Sequence, residues 1–198
     1  MKPVIYKSLM AFALLGSLST LTAGEPVKVT NPPAPAPTEQ KPAYLYFREG
    51  TFARTGNQRV TCEIKLDQKM PLAARKQKIV FFLAFDIDND GTTGTQYITF
   101  PGFGKDIAVW LTKEPNQSRF VPDSSTLIAK GKKHEIEVTK SRVDDETISF
   151  ELKSELFAYY PTCRVYAMSN HTFFEKGMES AEITVDQLPR RGAVTLSE

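Results

Sequence analysis

The sequence predicts an all-β protein, an antiparallel two-sheet β-sandwich, on three observations. Apolar and polar residues alternate in short segments such as Val60–Leu66 and Ile148–Leu152. Turn-forming residues separate these segments, as Asp144 and Asp145 do. No long stretch shows the period of an α-helix. Short strands of period two at regular spacing are typical of a sandwich with one buried face per strand.

The predicted strands follow one another along the chain. They are Val60–Leu66, Lys78–Asp86, Thr95–Phe100, Asp106–Thr112, Ile136–Val138, Ile148–Leu152, Thr162–Met168 and Ile183–Val185. Lys78–Asp86 is almost continuously apolar, as expected for a strand buried on both faces. Pro101–Gly104 is predicted to be a turn because of its proline and glycines. Ser154 is predicted to cap one helical turn that reaches Phe157.

The predicted parts of the chain are a signal peptide of residues 1–23, a Pro-rich linker of residues 24–42, a β-sandwich domain of residues 43–192 and a flexible tail of residues 193–198. The first part has the features of an export signal, since Lys2 and Lys7 precede an apolar stretch and Ala23 is a small residue at the cleavage edge. The linker is expected to be extended, because proline disfavours both helix and sheet ladders.

Charge excludes several classes of partner. The whole chain has a formal net charge of +2, and removal of residues 1–23 lowers it to 0, because that segment holds two lysines and no acid. A neutral chain lacks the electrostatic attraction that draws basic proteins to nucleic acids and anionic membranes. The apolar run of the signal is shorter than the roughly 20 residues of a membrane-spanning helix. We therefore expect a secreted or periplasmic protein without a nucleic-acid partner or a membrane span.

Two cysteines lie on inward faces of predicted strands, Cys62 early in the chain and Cys163 late. Export favours the oxidised form, and a disulfide closing a loop of about 100 residues stabilises a protein by roughly 4–5 kcal/mol in the chain-entropy model. The alternative is two independent buried thiols, since free cysteine is usually buried.

The most informative segment is Phe81–Gly94, in which an apolar strand ends in alternate carboxylates. Asp86, Asp88 and Asp90 precede Gly91. Calcium binds about six to eight oxygen atoms, and short Asp side chains around a glycine turn supply them. The alternative is an ordinary Asn-Asp-Gly turn. Because three neighbouring carboxylates repel one another without a cation, the pattern favours calcium.

The segment differs from an EF-hand loop. Tyr97 occupies the twelfth position, where an EF-hand has a bidentate glutamate, and the preceding residues are predicted to be a strand. The other ligands must come from a different loop. Asp106 and Asp186 are the candidates.

Short motifs occur in a fixed order along the chain: Phe85–Asp90 with Thr93-Gly94, Gly104–Asp106, Ile148–Leu152 with Ser154–Phe157, and Asp186–Pro189 with Gly192. Together they resemble the pattern of family 9 carbohydrate-binding modules and their DOMON-like relatives. The resemblance covers about residues 43–192. It implies a jelly-roll-like sandwich with calcium near the Asp-rich loop.

Carbohydrate binding requires aromatic rings that stack on a pyranose and polar groups that bind its hydroxyls. The candidate rings are Trp110, Phe103, Tyr159 and Tyr160. Trp110 is the single tryptophan, and Phe103 lies in the Gly-rich predicted turn. The alternative is that these rings fill the core or cover its edge, since each buries a large apolar area.

Catalytic motifs are absent from the sequence. It contains neither G-x-S-x-G nor H-E-x-x-H, and neither His134 nor His171 lies in a nucleophile arrangement. We therefore expect no enzymatic activity. The predicted function is an exported, calcium-stabilised β-sandwich that binds carbohydrate or another envelope component. The alternative is a periplasmic structural or protein-interaction domain that binds no sugar.

Overall fold

The computed structural model describes residues 24–71, 77–97, 100–129, 132–175 and 178–197, so the predicted signal peptide lies outside the described residues. The strands are β1 Val27–Thr30, β2 Phe47–Arg54, β3 Arg59–Leu66, β4 Lys78–Asp86, β5 Thr95–Tyr97, β6 Phe100–Lys105, β7 Ile107–Lys113, β8 Val121–Ser124, β9 Thr126–Ala129, β10 Lys132–Glu135, β11 Glu137–Val143, β12 Thr147–Lys153, β13 Thr162–Glu175, β14 Met178–Leu188 and β15 Val194–Ser197. The helical elements are a 3-10 turn, Ala43–Leu45, and α1, Leu156–Tyr159.

Two antiparallel sheets pack against each other, which confirms the predicted all-β sandwich. The five-stranded sheet has the order β1-β2-β3-β12-β11. The six-stranded sheet has the order β14-β13-β4-β7-β8, and β15 also pairs with β13. Two further pairs, β5–β6 and β9–β10, form hairpins.

The core lies between the sheets because every second side chain of each central strand points inward. Ile64 and Phe150 extend from the five-stranded sheet, and Phe81 and Phe85 from the six-stranded sheet. All four are at most 3% exposed. The rings of Phe85 and Phe157 lie 5.6 Å apart, so α1 packs on the same core.

Strand β4 has the predicted bounds, but its outer face is covered only in part. Ala84 is buried there, because the β5–β6 hairpin brings Phe103 over this part of the sheet. Further back along β4, Phe82 is half-buried. The predicted turn at Pro101–Gly104 is wrong. These residues belong to β6, whose glycines permit close packing on the neighbouring loop.

The predicted linker of residues 24–42 requires a correction at its start. Residues Val27–Thr30 form β1 and pair with β2. Val27 and Val29 pack against the core, and Asn31 is buried. Two valines in alternate positions can form an edge strand here, because the backbone N–H and C=O groups on one side of β2 are available to pair with it. The Pro-rich residues follow this strand.

The predicted flexible tail is also wrong. Val194–Ser197 form β15, which pairs with β13 in the register Val165 to Val194. Val194 and Leu196 are at most 3% exposed and belong to the core. The alternation is present in the sequence, but two apolar residues at a chain end are a weak signal without knowledge of the neighbouring strand.

The predicted helical turn is present as α1, and the Ser154 hydroxyl accepts a hydrogen bond from the Leu156 N–H at 3.3 Å. Arg54, which is buried, holds the following segment by donating to the carbonyls of Tyr160 and Pro161 at 2.9 and 2.7 Å. Within the described ranges, no helix has the length and apolar character needed to cross a membrane.

Candidate functional site

The Asp-rich segment begins where β4 ends. Asp86 is the last residue of β4 and pairs with Arg164 of β13. Because side chains alternate along a strand, Asp86 points to the outer face while Phe85 points to the core. There β6 covers it, and the Gly104 N–H donates a hydrogen bond to Asp86 Oδ2 at 3.3 Å. Asp86 is therefore fully buried although a loop follows it directly.

Two further carboxylates lie next to Asp86. Asp88 is exposed in the loop, and Asp106 is half-buried between β6 and β7. One carboxylate oxygen from each of the three residues lies within 4.8 Å of the other two. Asp106 is held in place because its Oδ2 accepts a hydrogen bond from the Ile87 N–H at 2.8 Å. The structure thus brings three of the five predicted metal ligands into one group, which we call the Asp cluster.

Asp90 lies outside the Asp cluster. Its Oδ1 accepts hydrogen bonds from the Thr92 N–H at 2.9 Å and from the Thr92 hydroxyl at 2.7 Å. These two bonds hold the pKa of Asp90 below its usual value. This carboxylate therefore closes the turn of the loop, as Asp does in many turns.

The loop rests directly on the backbone of β6. A Cβ atom on Gly104 would lie 2.0 Å from the Thr93 carbonyl oxygen. Gly94 has φ = +65°, and a Cβ atom there would lie 2.5 Å from the Lys105 carbonyl oxygen. Only glycine allows two backbones to approach this closely. Gly94 and Gly104 therefore allow the loop that carries Asp88 to lie directly against β6, the strand that ends before Asp106.

The charges in the Asp cluster are only partly compensated. Asp86 Oδ2 accepts a hydrogen bond from the Arg164 guanidinium, whereas Asp86 Oδ1 is buried and has no hydrogen-bond partner among the described residues. Burial, with the charges of Asp88 and Asp86, raises the pKa of Asp106 to about 6. Three carboxylates outnumber the Arg164 guanidinium and the Lys105 ammonium, which lies beside the same cavity as Asp88 and Asp106, and they leave an excess of negative charge when all are ionised.

This geometry suits a hard divalent cation. Two oxygen atoms bound to one calcium ion at about 2.4 Å are at most about 4.8 Å apart, which agrees with the separations in the Asp cluster. A cavity of about 340 Å³ adjoins the cluster and is lined by Asp88, Asp106 and Tyr160, among others. It gives an ion a path from solvent to two of the three carboxylates.

The structure does not bring Asp186 to the Asp cluster, so this predicted ligand requires a correction. Asp186 pairs with Ser169 on β13, whereas Asp86 pairs with Arg164. Five residues along a strand correspond to about 17 Å. The Asp186 carboxylate instead accepts hydrogen bonds from the Phe47 N–H at 2.8 Å and from Arg190 Nε at 2.8 Å.

The predicted aromatic ligands do not form one group. Trp110 is half-buried on the outer face of the six-stranded sheet, where its ring lies nearly parallel to that of Phe82, with 6.5 Å between centroids and 17° between planes. Phe82 is not among the aromatic ligands predicted from the sequence. Its position on the same face of β4 as Asp86 could have indicated that it points away from the core.

The other three rings lie elsewhere. Phe103 is fully buried and meets Tyr166 edge to face at 4.7 Å, so it fills a small core under the hairpin and is not available to a ligand. Tyr159 on α1 is 66% exposed. Tyr160 is half-buried beside the Asp cluster.

Cys62 and Cys163 are both buried, and both are free thiols in the structure. Burial raises the pKa of Cys163 to about 11. Both residues belong to the same core between the two sheets. The disulfide between them stays a prediction.

No protein-family model, no curated protein and no solved structure matches the chain.

Proposed function

We propose that this chain is an exported, non-enzymatic β-sandwich that is stabilised by calcium and binds carbohydrate. The observation that supports the calcium site best is Asp86 Oδ1, a carboxylate oxygen that is buried without a hydrogen-bond partner among the described residues. An ionised carboxylate loses several kcal/mol of hydration on burial unless a charge or hydrogen bonds replace the water.

Arg164 compensates only part of this charge, because it contacts Oδ2 of Asp86 and the cluster holds two further carboxylates. Asp86 Oδ1 would coordinate a calcium ion together with carboxylate oxygens of Asp88 and Asp106. Backbone carbonyls and water would complete its roughly six to eight ligands. The three carboxylates come from the end of β4, the loop after it and the residue that joins β6 to β7. The ion would therefore bind these segments to one another.

Thermal melting with calcium and then with chelator tests this proposal. Binding to the folded state alone at 100-fold over Kd adds about 2.7 kcal/mol of stability. For a protein of this size, that free energy raises the Tm by roughly 5–11 °C. The chelator should reverse the shift. An unchanged Tm at saturating calcium would contradict the proposal.

A pair of matched variants assigns the shift to the site. Asp106→Asn should remove most of the calcium response, because it replaces one charged ligand. Asp123→Asn is the control, because Asp123 is exposed on β8 and its carboxylate accepts a hydrogen bond from the adjacent Ser124 N–H. Equal calcium responses in the two variants would contradict the assignment.

Carbohydrate binding is supported by the half-buried pair Phe82 and Trp110, since nearly parallel rings on an open sheet face are suited to stacking on pyranose rings. The alternative function, protein interaction without sugar binding, is favoured by two exposed side chains, Val121 at 48% and Tyr159 at 66%. A screen of soluble glycans separates the two functions, because only the first predicts binding.

A further inference from the structure

The outer face of the six-stranded sheet carries an apolar row in which Phe82 and Trp110 are half-buried and Met168 is buried. The Lys105 ammonium lies 5.8 Å from the centroid of the Phe82 ring. The strand register places Met168, Phe82 and Trp110 side by side on β13, β4 and β7. Gln187 on β14 and Asp123 on β8 extend the same row at either end. Because neighbouring strands lie about 4.8 Å apart, a row across five strands is about 19 Å long.

A groove of about 380 Å³ lies beside Phe82 and Met168 on this face. Its opposite wall is polar and consists mainly of Asn170, Thr184 and Gln187. The Asn170 Nδ2 group donates to Glu182, while Asn170 Oδ1 is buried and has no donor among the described residues. The groove therefore joins an apolar wall to a wall of amide and hydroxyl groups, one of which is an acceptor without a donor.

This chemistry favours a neutral ligand that has one apolar surface and many hydroxyl groups. A peptide that adds a strand needs a free sheet edge. Strands β4 and β7, which carry Phe82 and Trp110, each have a partner on both sides, so a strand-adding peptide would pair at the outer strands, β14 or β8, and not over these rings. Glu182, the carboxylate in the groove wall, is bonded to Asn170. A cationic ligand thus has no uncommitted carboxylate in that wall to bind.

Among the described residues, the opposite face of the molecule has no exposed ring for the same role. The outer face of the five-stranded sheet has a larger groove, of about 960 Å³. Its one aromatic lining residue among the described residues, Phe150, is only 3% exposed. Glu151 in this groove is engaged in ion pairs with Lys140 at 2.9 Å and Arg59 at 2.5 Å. Hydroxyl groups and ion pairs without an exposed ring do not provide a stacking surface.

We infer that a neutral oligosaccharide lies across the strands of the six-stranded sheet, stacked on Phe82 and Trp110 and hydrogen-bonded to Asn170, Thr184 and Gln187. This inference rests on the proposed carbohydrate function and gives it a location and a ligand class. The length of the row exceeds one pyranose ring. The site therefore prefers a chain of several sugar units to a monosaccharide.

Isothermal titration calorimetry tests the inference. The full exported chain, with calcium present, is titrated with hydroxyethylcellulose, arabinoxylan and galactomannan, and then with short and long oligosaccharides of the polymer that binds. We expect at least one of these neutral polymers to bind, and longer oligosaccharides to bind more tightly. Absence of binding to all three polymers would overturn the inference, while the separate melting experiment would still decide whether calcium binds.

Variants locate the site. Trp110→Ala and Phe82→Ala should each weaken binding by at least about tenfold, or about 1.4 kcal/mol, because aromatic residues at the centre of a site commonly provide much of its binding free energy. Trp110→Phe, which keeps a ring, should retain most of the affinity. Tyr159→Ala, which removes an exposed ring on α1, should bind like the unchanged protein.

The opposite pattern, loss in Tyr159→Ala with unchanged binding in Trp110→Ala and Phe82→Ala, would refute the sheet face and leave carbohydrate binding itself intact. Melting curves show whether each variant is folded. Asn170→Ala changes the polar wall and leaves both rings in place. Its affinity for the oligosaccharide is a second measurement, and it should also be lower than that of the unchanged protein. Unchanged affinity in this variant would contradict the predicted hydrogen bond.

Discussion

Substitution of Asp186 tests which carboxylates of this protein stabilise the fold and which bind calcium. The sequence makes it a candidate calcium ligand, whereas the structure places it on β14, paired with Ser169 of β13, in a network with Asn31, Phe47 and Arg190. We predict that Asp186→Ala strongly destabilises the protein but leaves its response to calcium unchanged.

The magnitude follows from the contacts that the substitution removes. The Phe47 N–H loses its acceptor at 2.8 Å, and a buried donor without a partner costs about 1–3 kcal/mol. The Arg190 side chain is only 21% exposed and loses its carboxylate, and breaking such a pair from one side costs about 3–5 kcal/mol. These costs overlap because one network contains both contacts. We expect a total loss of about 3–5 kcal/mol, or a decrease in Tm of roughly 6–20 °C.

The assay is thermal melting of Asp186→Ala, Asp186→Asn and Asp106→Asn, each with and without calcium. Asp186→Asn keeps an acceptor for the Phe47 N–H and should lose less stability than Asp186→Ala. Both Asp186 variants should keep the full calcium shift, and Asp106→Asn should lose most of it. A calcium shift that disappears in Asp186→Ala, with the fold intact, would refute the assignment of Asp186 to the structural network.

Three further predictions test other parts of the structure. At pH 8, iodoacetamide should leave Cys62 and Cys163 unmodified in the folded protein, because both thiols are buried and the pKa of Cys163 is raised to about 11, so deprotonation requires a still more alkaline pH. Mass spectrometry after denaturation without reductant then tests the predicted disulfide. No modification is expected if Cys62 and Cys163 are bonded, and two modifications would show free thiols. Deletion of residues 24–31 should lower the free energy of unfolding, measured in urea, by about 2–4 kcal/mol, because it removes β1 and the buried Asn31. Unchanged stability would show that this segment is only a linker. Gly104→Ala should weaken calcium binding and lower the free energy of unfolding by about 1–3 kcal/mol, because the new Cβ atom would lie 2.0 Å from the Thr93 carbonyl oxygen. Titration calorimetry measures the calcium affinity. An unaltered affinity would contradict the close packing of loop and strand.

Strands with a strong alternating pattern could be predicted from the sequence, because period two is a local property. The predicted bounds of β4 agree with the structure, and those of β3 and β12 agree within a residue or two. Strands β1 and β15 were missed because each is four residues long and depends on an existing partner strand. Neither pattern is strong enough alone to outweigh the nearby prolines or the chain end.

The Asp cluster was predictable to the extent that it depends on local spacing. Asp86 and Asp88 are two residues apart, and Asp106 returns to them because the short β5–β6 hairpin reverses the chain. Asp186 could not be assigned in this way. Its distance from the cluster depends on the register of β14 against β13, which the sequence does not specify.

The alternating strands, the all-β class and the pair of carboxylates at the end of β4 can be predicted from the amino-acid sequence, since each follows from neighbours along the chain. The burial of Asp86 under β6, the enclosure of Phe103 and the contact of Phe82 with Trp110 become visible only in the folded chain. These relations depend on strand order and register. Both result from packing between residues that are distant in the chain, and no local pattern encodes them.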